Sequence, residues 1–126
     1  MTLGVVGTAT VACDIEAVTV RGAEAWEGLL GEHGNLAALV VKETGEEADT
    51  AATRVWTAVE CLKKAGLPAG VPLTLAPQAR SGWVVLTAGT LRIATFATTL
   101  RHVEEPVVLA FLTDGAEEPA PGRART

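Results

Sequence analysis

Five side chains carry most of the chemistry open to this sequence. Asp14 and Glu16 follow directly on the apolar run that ends at Cys13. In an extended backbone they fall on one side, with Ile15 on the other. Glu60 stands between Val59 and Cys61 in the strongest helical pattern of the chain, and Lys63 and Lys64 close that pattern. A carboxylate at the edge of an apolar stripe is costly unless it is paired or binds a metal. Magnesium takes a few carboxylates and completes its octahedron with water and substrate phosphates. Lys64, one turn after Glu60, suits a phosphate beside such an ion. A plainer reading is also open: Asp14 and Glu16 end a strand, and Glu60 pairs with Lys64 at i, i+4.

The elements that must position these groups follow from pattern and punctuation. Short strands are expected near Leu3–Val6 and, after a turn at Gly7, over Thr8–Cys13. Ala23–Leu30 reads as a helix with Trp26, Leu29 and Leu30 on its apolar face and Gly31 as its stop. Leu36–Glu43 is assigned to a helix that Gly45 breaks. The long helix runs from about Asp49 to Ala65, with Asp49 or Thr50 as its cap and Gly66 ending it. Ala52, Val55, Val59 and Leu62 form its apolar stripe, and Trp56, Glu60 and Lys64 share the neighbouring one. Pro68, Pro72 and Pro77 frame a short strand at Leu73–Leu75. Gly82–Thr87 and Leu91–Thr99 form a hairpin, and Pro106–Thr113 is a last strand. The expected class is α+β, an antiparallel sheet packed against a long helix, with one domain over 1–113 and a disordered tail over 114–126.

Composition narrows the function. The chain has 126 residues, 48% of them hydrophobic, enough apolar material for a core. Its net charge of -5 argues against a nucleic-acid partner, which demands a basic face. No apolar run approaches a membrane span, and the start of the chain lacks the pattern of an export signal. Cys13 and Cys61 form no disulfide framework and no zinc pattern, so both are expected as reduced, inert core thiols of a cytoplasmic domain. His33 and His102 are expected in solvated loops.

Val11-Ala12-Cys13-Asp14-Ile15-Glu16 resembles the first motif of the 4′-phosphopantetheinyl transferases, Val-Gly-(Val/Ile)-Asp-x-Glu. Trp56-Thr57-Ala58-Val59-Glu60-Cys61-Leu62-Lys63-Lys64 resembles their second, Trp-(Ser/Thr/Cys/Ala)-x-Lys-Glu-(Ala/Ser)-x-x-Lys. The order and separation of the two also fit. The wording is most similar to the transferase domain at the C-terminus of enediyne-type iterative polyketide synthases. The resemblance implies transfer of the phosphopantetheine arm of coenzyme A to a serine of an acyl carrier protein, which can be one in the same polypeptide, with release of adenosine 3′,5′-bisphosphate. It implies that Asp14, Glu16 and Glu60 bind magnesium and that Glu60 accepts the serine proton. Lys64 would contact phosphate with Lys63 as a further cation, and Trp56 would orient the helix.

The departures are as specific. Val59 stands where the family usually has Lys, and Ala12 replaces the usual Gly. The upstream Ser-(Leu/Ile)-Ser-His motif of the larger, surfactin-type enzymes is absent from this sequence. Those enzymes are two similar halves in one chain, whereas holo-acyl-carrier-protein synthases are single halves that trimerise. This chain has the length of a single half, so a homotrimer or pairing with a missing N-terminal half is expected. Arg21, Arg80 and Arg92 are candidates for contacts to coenzyme phosphates or to an acidic carrier. The competing expectation is a non-catalytic, degenerate module that serves assembly or carrier docking in a larger synthase.

Overall fold

A computed structural model of the chain describes residues 10–68, 70–77, 82–99, 101 and 104–114. Strand β1 covers Thr10–Ala17 and is followed by helices α1 (Ala23–Leu30), α2 (Gly34–Thr44) and α3 (Ala48–Lys64). Strands β2 (Thr74–Leu75), β3 (Trp83–Ala88), β4 (Leu91–Thr98) and β5 (Val107–Asp114) complete the order. The five strands form one antiparallel sheet in the order β1-β5-β4-β3-β2. The class is therefore α+β, as expected. The strand expected at Leu3–Val6, Arg80, His102 and the tail from 115 onward lie outside the described residues. Asp114, assigned above to the tail, is the last residue of β5 and pairs with Leu91.

β1 runs four residues past the expected end at Cys13. Its ladder to β5 continues through Asp14↔Ala110 and Glu16↔Val108 to Ala17↔Val107, and Val18 N–H donates to the Pro106 carbonyl at 2.8 Å. Acidic residues are poor strand formers, but tertiary context overrides such preferences. Here the two acids alternate with the exposed Cys13, Ile15 and Ala17 and turn toward α3.

α3 lies across β5, β1 and β4. Val55, Ala58, Cys61 and Leu62 from the helix meet Ile93, Ala110 and Leu112 from the sheet, all fully buried. Burying each of the larger aliphatic side chains is worth about 1.5–3 kcal/mol. The C-terminus of α3 closes in a Schellman motif. Gly66 N–H donates to the Lys63 carbonyl at 3.0 Å, and Leu67 N–H donates to the Leu62 carbonyl at 2.9 Å. This closure requires the positive φ of Gly66, 90°, which a side chain would strain. It fixes the last turn, which carries Lys63 and Lys64.

Two helix expectations are corrected. Neither Asp49 nor Thr50 caps α3; the cap position is Glu47, which makes no side-chain cap bond. The Asp49 carboxylate instead accepts from the Trp26 indole N–H at 2.8 Å and the Arg21 amide at 3.1 Å. It thereby ties α1 to the start of α3. Leu29 is 38% exposed, so the buried face of α1 is Trp26 and Leu30 alone. His33, expected in solvent, is 9% exposed within a short 3-10 turn between α1 and α2. No helix among the described residues is long and apolar enough to cross a membrane.

Candidate active site at the junction of β1 and the α3 C-terminus

The two acidic segments meet. Lys64 Nζ on the last turn of α3 donates to Asp14 Oδ1 at 2.7 Å and to the Cys13 carbonyl at 3.2 Å, both on β1. The pairing of Glu60 with Lys64 is not formed: Glu60 Oε2 accepts from Lys63 Nζ at 3.0 Å, one turn along the same helix. Lys63 also stands 5.6 Å over the Trp56 ring. Lys64, in contact with Asp14, and Glu60, whose charge acts on Glu16, thus lie on the rim of α3 nearest the acids of β1.

The electrostatics of this corner centre on Glu16. Its pKa is raised from 4.5 to about 7, first by burial, then by a hydrogen bond with Asp14 and by the charges of Asp14 and Glu60, with Lys64 opposing. Two ionised carboxylates have only acceptors to offer each other, so Asp14 and Glu16 share a bond only when a proton lies between them. The Asp14 side chain is 9% exposed, and its Oδ2 is buried without a hydrogen-bond partner. An orphaned carboxylate oxygen of this kind is costly unless a cation or a donor completes it.

Magnesium tests this corner well. The available groups are carboxylate oxygens, the donor class that ion prefers. One buried oxygen lacks a partner, and one acid keeps a proton that a nearby cation would expel. Among the described residues, no three His, Cys, Asp or Glu side chains are already drawn together around a single point. Glu60, whose side chain is 23% exposed, is engaged by Lys63 instead.

The raised pKa of Glu16 has a sign in stability. Between about 4.5 and 7 the folded chain holds a proton that the unfolded chain releases. The contribution of Glu16 is fully present below pH 4.5 and is lost as pH rises through about 7. Urea midpoints of the wild type are expected to fall across that window in the absence of divalent cations. Glu16→Gln is expected to remove that slope; an unchanged slope would assign it elsewhere.

The remaining candidates sort by burial. Cys61 is buried as expected and directs its thiol to the Ala110 carbonyl at 3.6 Å. Burial, with the Asp14 charge second, pushes it up to about 12, so it is structural. Cys13, expected as core, is exposed. Val59 is buried, and the helix offers no cation at that point. Arg21 stands 5.1 Å over the Trp26 ring, on α1 rather than in the acidic corner, and Arg92 is exposed on β4.

Sequence reasoning missed Arg54. It is 2% exposed and spends all five of its N–H donors. Nε and Nη2 grip the Glu46 carboxylate at 2.8 and 3.0 Å, Nη1 reaches the Thr95 carbonyl at 2.8 Å and its hydroxyl at 3.0 Å, and Nη2 reaches the Gly82 carbonyl at 3.2 Å. Its partners lie 8, 28 and 41 residues away, so no local pattern announces it. Gly82 is itself constrained: its φ is 82°, and a Cβ there would stand 2.9 Å from the Phe96 ring.

No known protein family, curated protein or solved structure matches this chain.

Proposed function

We propose that the chain is a magnesium-dependent 4′-phosphopantetheinyl transferase domain, a single half of that fold. It acts on a serine of an acyl carrier protein in polyketide biosynthesis, with coenzyme A as donor. The observation that supports this most is the 2.7 Å contact between Lys64 and Asp14. It joins the two segments whose wording resembles the family's motifs, and Glu60 lies near enough for its charge to act on Glu16.

Asp14, Glu16 and Glu60 would hold the ion. When bound, it supplies positive charge to a pyrophosphate and to the leaving phosphate. Glu60, once parted from Lys63, accepts the proton of the attacking serine hydroxyl. Lys64 and Lys63 bring cations to the substrate's phosphates. Trp56, half-buried on the same rim, holds the orientation of α3. Free thiols at Cys13 and Cys61 accord with a reducing, cytoplasmic setting.

The test is direct. Incubation of the chain with coenzyme A, magnesium and an apo carrier protein is expected to add the mass of one phosphopantetheine to the carrier, and EDTA is expected to abolish the addition. No mass shift would sink the enzymatic reading. It would favour a second one, a non-catalytic carrier-docking or assembly module, for which the buried Val59 speaks.

The same reading calls for a partner half. The sheet face opposite α3 carries two apolar rows, Ile15–Leu109–Phe96–Trp83 and Cys13–Phe111–Ala94–Val85, each continuous across four strands. Ile15 is 51% exposed and Trp83 stacks on Phe96 at 4.8 Å. Exposed apolar patches of this kind mark interaction surfaces. Light scattering is expected to give the mass of a trimer; the mass of one chain would point to pairing with a separate half.

A further inference from the structure

Building on the function proposed above, we propose that Lys64 is the resident counter-ion of the Asp14 corner and is exchanged for the divalent cation when the site loads. Lys64 reaches one oxygen of Asp14 and not the other. Lys64 Nζ holds Oδ1 at 2.7 Å, while Oδ2 is buried and without a partner. The ammonium is anchored a second time on the same strand, at 3.2 Å from the Cys13 carbonyl.

The two ends of this pair differ in a way that favours exchange. The Asp14 side chain is 9% exposed and belongs to a paired strand, so it stays in place. The Lys64 side chain is 55% exposed on a four-carbon stem, so it can leave at little steric cost. An ion pair with one solvated end is weak, and Lys64 reaches Oδ1 alone, its second contact going to the Cys13 carbonyl. A divalent cation neutralises the carboxylate more fully and repels the ammonium beside it.

Lys64 then has two positions with one charge. In the metal-free chain it is bound to Asp14 and withheld from any phosphate. After exchange the same ammonium is free to meet the phosphate of a substrate. Lys64 therefore acts as a positioning residue that becomes available only once the acids are occupied, which orders cation before phosphate.

The experiment uses the whole chain and magnesium alone. Magnesium affinity is measured by calorimetry for the wild type and Lys64→Gln. Nuclear Overhauser contacts between the Lys64 ε protons and the Asp14 β protons are followed in the wild type. The contacts are expected without metal and are expected to vanish at saturating magnesium. Lys64→Gln is expected to bind magnesium about threefold more tightly, since no ion pair has to be broken. Contacts that persist at saturation, contacts missing from the metal-free chain, or an affinity unchanged by Lys64→Gln would each overturn the exchange while leaving the metal reading in place. No magnesium binding by either protein would remove both.

Discussion

Arg54→Met is expected to destabilise the domain by about 3–5 kcal/mol, the usual cost of removing one partner from a buried ion pair. That is a large part of the roughly 5–15 kcal/mol that holds an ordinary domain together, and a fall in Tm of about 10–20 °C follows. The cause is specific. Arg54 touches Glu46 before α3, Thr95 in β4 and the Gly82 carbonyl at the entry to β3. Its loss strands the Glu46 carboxylate, whose side chain is 17% exposed. It also strips the Thr95 carbonyl of its side-chain donor. The Thr95 hydroxyl still donates to the Val84 carbonyl at 2.7 Å. Arg54→Met combined with Glu46→Met is expected to recover part of the loss, because no charge is then left unpaired. Lys63→Ala, which removes an exposed pair, is expected to cost no more than about 0.5 kcal/mol. Thermal and urea unfolding of the four proteins would decide the matter. A near-neutral Arg54→Met would show that the network adds nothing.

Glu60→Gln is expected to behave in the opposite way, leaving the fold intact and removing the proposed transfer. The side chain is 23% exposed and pairs with the exposed Lys63, so Tm is expected to move little. Transfer to the carrier is expected to fall by at least about 100-fold, the lower range for removing a positioned base, and magnesium affinity is expected to drop with it. Transfer within tenfold of wild type would exclude Glu60 from the chemistry. Arg54 and Glu60 lie on one helix and separate stability from activity cleanly, which guards against reading an unfolded variant as an inactive one.

Much of this fold could be read in advance because its signals are local. Ala23–Leu30 and the stop at Gly31 were legible from apolar spacing and one glycine. The end of α3 was legible from Lys63, Lys64 and Gly66. The hairpin around Gly89 followed from alternation. What escaped reading depends on distant partners. β1 outruns Cys13 because β5 pairs with it and Lys64 faces Asp14. Asp49 serves Trp26 and Arg21 rather than its own helix. His33 is enclosed by a 3-10 turn that no periodicity predicts. In the candidate site the expected pairing of Glu60 with Lys64 does not form: Glu60 takes Lys63, and Lys64 crosses to the strand. Only the path of the backbone could decide that.

The alternation along β1 has a consequence for molecules that fold wrongly. Asp14 and Glu16 turn inward while Cys13 and Ile15 turn outward, and the ladder to β5 sets which is which. A slip of that ladder by one residue would evict both acids together and drive a thiol and an isoleucine into their place. Lys64 would then find no counter-charge, so a mispaired chain fails at this corner outright and leaves no half-assembled version of it.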